Sequence, residues 1–132
     1  MKIVLYTDGA ARGNPGPAAF GVVIADARGQ VLQEFGQAIG PATNNEAEYR
    51  GLLAGLEAAS QRDATDLEIR LDSELLVLQL NGVYKIRAAN LKPLYERTKQ
   101  RLTHFQRVKI VHVPRSLNSR ADALANQALD QA

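Results

Sequence analysis

Four carboxylates stand at points of the chain where one backbone pattern gives way to another. Asp8 closes Tyr6-Thr7-Asp8-Gly9, Glu48 follows Thr43-Asn44-Asn45-Glu46-Ala47, Asp72 lies between Leu71 and Ser73, and Asp122 sits in Arg120-Ala121-Asp122-Ala123. Element termini converge at one edge of an α/β sheet, and carboxylates gathered there repel one another unless cations join them. The chemistry this pattern points to is a divalent metal site. The 132 residues include no cysteine, which excludes disulfides, thiolate ligands and thiolate nucleophiles and leaves carboxylates and two histidines.

Each acidic residue also has a plainer reading. Asp72 could cap the helix that follows it, and Asp122 could be the acidic partner of a capping box opened by Ser119. Asp8 has the weakest such alternative, because a carboxylate ending a buried strand before glycine has no helix to cap. Glu48 separates the readings best. On a helix starting at Thr43, Leu52 and Leu56 lie one and two turns beyond it, so its side chain falls on the stripe meant for the core. An unpaired carboxylate there costs several kcal/mol, so something must compensate it. Glu46 stands three residues after Thr43 and completes a capping box, which gives it a structural role.

The elements that position these residues follow from periodicity and punctuation. Lys2 to Asp8 reads as a strand covered on both faces. Ala18 to Ala25 and Val31 to Ile39 read as two more, joined by a turn at Asp26-Ala27-Arg28-Gly29. A helix over 43–60 comes next, then a strand over 67–72 and a short helix over 73–81 ending at Gly82. A helix over 90–105 carries Leu91, Leu94, Tyr95, Thr98, Leu102 and Phe105 on one stripe; a strand over 108–113 and a helix from Asn118 complete the chain. Strands first in a meander and then alternating with helices predict an α/β fold with a mixed sheet. Length and a hydrophobic content of 45% predict one domain over residues 1–132. Gly51 and Gly55, one turn apart, are expected to admit a close neighbour. Gly13-Asn14-Pro15-Gly16-Pro17 lacks the Gly-Lys-Ser/Thr ending of a phosphate loop and precedes a strand, so a tight turn that leaves the Asn14 amide free for a ligand is expected and a nucleotide cofactor is not.

Net charge is only +2, but Lys85, Arg87, Lys92, Arg97, Lys99, Arg101 and Arg107 face Glu96 alone between Val83 and Arg107. A basic segment combined with an acidic cluster fits a polyanionic substrate; a solvated helix face accounts for the charge run equally well. No apolar run is long enough to span a bilayer and no secretory pattern opens the chain, so a cytoplasmic protein without membrane contact is expected.

Taken together, Tyr6-Thr7-Asp8-Gly9, the Gly13–Pro17 turn, Thr43-Asn44-Asn45 with Glu48, Leu71-Asp72-Ser73, and Asn118 with Ala121-Asp122 and Leu124-Ala125-Asn126 closely resemble type 1 ribonuclease H, in the form lacking a long basic protrusion. The resemblance runs in order over essentially the whole chain. It implies an RNase H-like fold, a five-stranded mixed sheet of three antiparallel and then two parallel strands flanked by helices. It also implies an endonuclease that cuts the RNA strand of RNA–DNA hybrids and leaves 5′-phosphate and 3′-hydroxyl ends. Carried over by position, Asp8, Glu48, Asp72 and Asp122 become ligands of two Mg2+ ions, for which Mn2+ can substitute; two ions about 3.5–4 Å apart serve the attacking and leaving oxygens. Gly9, Ala10, Asn14, Thr43, Asn44, Asn45 and Glu74 match hybrid-contacting positions, and Lys85 and Arg87 would hold phosphates. Capping alone is the other reading of Thr43 and Asn44. The implied partner is the hybrid, bound by a monomer. Broader activity, for example on double-stranded RNA, and a non-catalytic hybrid-binding module are the alternatives.

The mobile histidine that many members carry before the last carboxylate is missing from Val113-Pro114-Arg115-Ser116-Leu117-Asn118. Counting back from Asp122 reaches His112, which alternates in phase with Val108 and Ile110 and is expected to pack in the sheet. Arg115 is expected to position water or substrate from the loop, the alternative being an exposed solubilising charge. As a guanidinium it stays protonated and cannot be a general base.

Overall fold

Local sequence chemistry sets the element boundaries in the structure, a computed structural model that describes residues 1–132. In chain order the elements are β1 (Lys2–Ala11), β2 (Gly16–Asp26), β3 (Val31–Ala42), α1 (Asn44–Ser60), β4 (Asp66–Leu71), α2 (Glu74–Leu80), α3 (Lys92–Leu102), β5 (Arg107–His112), a 3-10 turn (Arg115–Leu117) and α4 (Ser119–Gln131). The sheet order is β3-β2-β1-β4-β5. β1–β2 and β2–β3 pair antiparallel, while β1–β4 and β4–β5 pair parallel, so the mixed five-stranded sheet expected from the sequence is the one observed.

Alternation along β1, β2 and β4 sends Ile3, Leu5, Val22, Ile24, Ile69 and Leu71 to one face, where they meet Leu52, Leu56 and Leu76 in the main core. Complete burial of such a side chain contributes about 1.5–3 kcal/mol. Gly51 and Gly55 let α1 settle onto this face, since a Cβ at either would come within 2.8 Å of Phe20 or Leu5. On the opposite face α4 lies directly on β2 and β3: a Cβ on Gly21 would stand 2.0 Å from the Ala121 carbonyl oxygen and one on Gly36 2.4 Å from that of Leu124.

Besides shifts of a few residues at other element ends, three elements differ from expectation in ways that bear on the site or the core. β1 runs on past Asp8 to Ala11, because Gly9, Ala10 and Ala11 still find partners in Phe20, Ala19 and Ala18. α3 is shorter at both ends: Pro93 lies in its first turn, where a missing amide costs no intrahelical bond, and Leu91 and Phe105 remain buried as the stripe requires although they fall outside the helix. α4 opens without the capping box assigned to Ser119 and Asp122: Asn118 takes the cap position and its side chain makes no cap bond. No helix is long and apolar enough to cross a membrane.

Candidate active site

Pairing between β1 and β4 ends at Tyr6 opposite Arg70. Beyond that point the strands part, β4 stops at Leu71, and a gap opens between the two chain ends. Asp8 stands at the gap on β1, in register with Gly21 of β2. Asp72 follows β4 directly, and Ser73 rather than Asp72 caps α2, its hydroxyl accepting from the Leu76 amide at 3.3 Å. The capping alternative for Asp72 is therefore not realised.

Glu48 enters the gap from the first turns of α1. Thr43 caps that helix and Glu46 closes the box, with the Thr43 amide donating to Glu46 Oε1 at 2.9 Å and the Glu46 amide to Thr43 Oγ1 at 3.1 Å. Glu46 is thereby committed to the helix start, and Glu48 points the other way, onto the sheet. The approach is close because position 9 lacks a side chain: a Cβ on Gly9 would fall 2.4 Å from the Ala47 carbonyl carbon and the Glu48 amide.

The outcome is a cluster in which Asp8, Glu48 and Asp72 each place one carboxylate oxygen within 4.8 Å of the others. Asp8 and Glu48 are only 6% and 9% exposed. Glu48 Oε2 is buried with no hydrogen-bond partner. Burial, then the Asp72 charge, raises the Asp8 carboxyl to about 7, with Asp122 adding to the rise. Glu48 is pushed well above the usual carboxylate range by burial first and the Asp8 charge second, against a lowering by the Gly9 backbone amide. Asp122 lies outside the tight trio; it faces Asp8 from the first turn of α4, and Asn126 Nδ2 donates to its Oδ1 at 3.3 Å. A buried carboxylate oxygen without a donor, beside two more carboxylates, suits a hard divalent cation that takes oxygen ligands.

The remaining sequence-derived positions fall into two groups. Gly9, Ala10, Asn14, Thr43, Asn44 and Asn45 gather at the α1 N-terminus. There Asn14 Oδ1 accepts from the Asn44 amide at 3.0 Å and Asn44 Oδ1 from the Ala11 amide at 2.9 Å. The Asn14 amide group is thus half engaged rather than free: its oxygen fastens the turn to α1, and its Nδ2 is left for a ligand. Glu74 is exposed at the start of α2. Lys85 and Arg87, exposed between α2 and α3, line a cleft with Leu75, Val83 and Tyr84 and are not brought to the carboxylates by any bond.

His112 does not pack in the sheet as its alternation predicts. It is exposed at the end of β5, with Nε2 3.3 Å from the Asp72 carbonyl oxygen. β5 is an edge strand, and even Val108, in phase with His112, is 36% exposed. Arg115 is exposed in the 3-10 turn and has no ion-pair partner.

Asn118 is the residue whose place sequence reasoning missed. It is 1% exposed, and its Nδ2 donates to the Thr7 carbonyl at 2.9 Å while its own carbonyl accepts from the Asp122 amide at 3.1 Å. One residue thus joins the backbone next to Asp8, through its side chain, to the turn that carries Asp122, through its backbone carbonyl. Its only sequence signal, an Asn before a helix, is the signal of an ordinary cap.

A mixed sheet that gathers carboxylates where its two central parallel strands part defines a known class, and comparison with other proteins identifies it. Residues 6–128 match the family described as Reverse transcriptase-like. Ribonuclease HI of Halobacterium salinarum is 48% identical over 131 residues, which cover 99% of this chain and 66% of the relative. The crystal structure of RNase H1 from that archaeon matches with a TM-score of 0.97, covering 100% of both chains. LC11-RNase H1, solved in complex with an RNA/DNA hybrid, is 42% identical with a TM-score of 0.93, over 98% of this chain and 97% of the other. A bifunctional protein of Mycobacterium tuberculosis is 47% identical over 133 residues, 100% of this chain but 36% of the relative. The chain belongs to the RNase H-like family. It spans about two thirds of the halobacterial relative and about a third of the mycobacterial one.

Proposed function

We propose that this chain is a ribonuclease H, hydrolysing the RNA strand of RNA–DNA hybrids to leave 5′-phosphate and 3′-hydroxyl ends. The observation that carries the reading is the Asp8–Glu48–Asp72 cluster with its partnerless Glu48 oxygen, in a chain 48% identical to a ribonuclease HI. Asp8, Glu48, Asp72 and Asp122 would hold two divalent ions, Mg2+ by preference with Mn2+ as substitute, through carboxylate oxygens. When bound, such ions supply a water activated for attack and stabilise the leaving 3′-oxygen. The protein's own residues do the rest. Gly9 keeps Glu48 against β1, Asn118 ties Asp122 to the Asp8 strand, and the Asn14 and Asn44 Nδ2 groups are available to sense the 2′-hydroxyl, which donates and accepts. At the α1 N-terminus the Thr43 and Asn44 amides are held by Glu46 and Asn14, which leaves the Asn45 amide for a phosphate; Lys85 and Arg87 attract the backbone, and Arg115 offers a positive charge from the 3-10 turn ahead of α4. All four carboxylates come from one chain, so the reaction needs no second copy.

A non-catalytic binder gains nothing from buried negative charge beside a phosphate, which weighs against that alternative. Cleavage of double-stranded RNA is the second reading, favoured by the short connection from Leu80 to Lys92 that holds no extra helix to grip a hybrid. Matched RNA–DNA, RNA–RNA and DNA–DNA duplexes incubated with Mg2+ test both. Cutting of the hybrid's RNA strand, abolished by EDTA, is the expected result; no cutting of any duplex with Mg2+ or Mn2+ would refute the assignment.

A further inference from the structure

The rung at which β1 and β4 stop pairing carries side chains that reach across the two strands. Tyr6 stands opposite Arg70 in the last register pair, and Asp8 and Asp72 follow two residues later in the same phase of the strand alternation. Arg70 Nη1 donates to the Tyr6 hydroxyl at 2.5 Å, its Nε donates to Glu68 Oε2 at 2.7 Å, and the guanidinium carbon lies 5.3 Å from the centroid of the Tyr6 ring. All three residues are half-buried. Tyr6 also packs against the cluster of Val23, Ala121 and Leu124. Arg70, Tyr6 and Ala121 thus meet at one point, and each precedes a carboxylate of the site by one or two residues: Asp72, Asp8 and Asp122. In the metal-free protein the Asp72 charge acts on Asp8, which tends to spread the strand ends just where backbone pairing has ceased. Arg70 does not relieve this by its charge. The guanidinium is engaged by Glu68, whose carboxyl it holds below the usual range, and the leading charges acting on Asp8 and Glu48 are those of other carboxylates. What Arg70 supplies is a fork that holds an acid and a hydroxyl at once, on a flat face that lies against a ring.

We propose that Tyr6, Glu68 and Arg70 are positioning residues of the carboxylate site, clamping β1 to β4 at their last rung and so setting how closely Asp8 and Asp72 approach for a divalent cation. The proposal rests on the metal-site reading of the cluster and assigns it a support that touches neither metal nor substrate. The direction of the effect separates a clamp from a simple field. Removing a nearby cationic side chain lowers the repulsion met by an incoming metal ion, so a purely electrostatic role makes Arg70→Met bind metal as well as wild type or better. Loss of a clamp makes it bind worse. Tyr6→Phe changes no charge and keeps the ring on Val23, Ala121 and Leu124, so a loss of metal affinity there comes from the hydroxyl bond alone.

The test titrates Mn2+ calorimetrically into hybrid-free wild type, Arg70→Met, Arg70→Lys and Tyr6→Phe, with melting curves in EDTA to verify that each is folded. The expected result is a Kd for Mn2+ weaker by about tenfold in Arg70→Met and about threefold in Tyr6→Phe. Arg70→Lys, which keeps a charge for Glu68 but not the fork, should fall between wild type and Arg70→Met. In cleavage assays the half-activating Mg2+ concentration should rise in the same order, while KM for the hybrid at excess Mg2+ stays unchanged and kcat recovers. Folded variants that bind Mn2+ as tightly as wild type or tighter, whatever their Tm, overturn the clamp and leave the metal site standing. Unchanged Mn2+ affinity with a raised KM for the hybrid would make Arg70 a substrate contact and overturn it too. Wild type that binds no Mn2+ overturns the clamp together with the metal-site reading.

Discussion

Replacing Asp8 by Asn should make the metal-free protein more stable at pH 8 while removing its activity. In the fold the Asp8 carboxyl titrates at about 7 against an ordinary 3.8, which at 1.36 kcal/mol per pH unit makes its ionised form cost about 4 kcal/mol. Only 6% of the residue is exposed, so solvent does little to reduce that figure. The cost is shared with Glu48, whose carboxyl is raised by the same neighbours; one Asn therefore recovers a part, about 2–3 kcal/mol. The sign follows from proton counting. Between pH 3.8 and about 7 the folded state holds a proton at Asp8 that the unfolded chain has lost, so stability is fully present below the lower value and falls as pH rises through the upper one. The variant escapes this fall. Urea denaturation in EDTA should find the two proteins alike near pH 4 and the variant ahead at pH 8, by about 8–12 °C in Tm if heat is used instead. Mg2+ at a hundred times its Kd should then raise wild type by about 2.7 kcal/mol and the variant by much less. A variant less stable than wild type at pH 8 without metal would refute the claim that these carboxylates repel.

The neighbouring acids on α1 give an internal control: Glu48→Gln should lower kcat at least about a hundredfold, whereas Glu46→Gln, which can still close the capping box, should keep nearly full activity; steady-state kinetics showing the reverse would mean the two roles are exchanged. Charge reversal of Lys85, Arg87 and Lys92 together should raise KM and flatten the salt dependence of hybrid binding by up to about three in slope, and an unchanged slope would assign them to a solvated face. Arg115→Ala should lower turnover without shifting Tm. His112→Ala, at an exposed strand end, should also leave Tm unchanged, and a collapse of turnover in it alone would give the histidine the role assigned to Arg115. Gly9→Ala should cost both stability and activity, because its Cβ would stand 2.4 Å from the α1 backbone; normal Mg2+-dependent stabilisation of that variant would show the close approach to be dispensable.

What could be read from the sequence was whatever depended on near neighbours. The Thr43–Glu46 box involves residues three apart, and the inward turn of Glu48 follows from its spacing to Leu52 and Leu56, so both were legible before any contact was known. The carboxylates were legible for a related reason, since residues at element ends are brought to one edge by topology whatever the details of packing. His112 misled because a period of two says which face a side chain takes, not whether that face is covered along its whole length; on the edge strand β5, Ile110 packs against the core while Val108 and His112 on the same face stay exposed.

Asn118 shows why a cap-like residue can be drawn inside. β1 loses its β4 partner after Tyr6, so the Thr7 carbonyl needs another donor, and a buried carbonyl left without one costs about 1–3 kcal/mol. Asn118 Nδ2 supplies it across 111 residues of sequence, an orientation in which Oδ1 stays buried without a partner instead of accepting a cap bond from α4. The parting of β1 and β4 that makes room for the carboxylates is thus the same event that creates the need for Asn118. That need brings the α4 N-terminus, with Asp122 on its first turn, to the place where Asp8 stands.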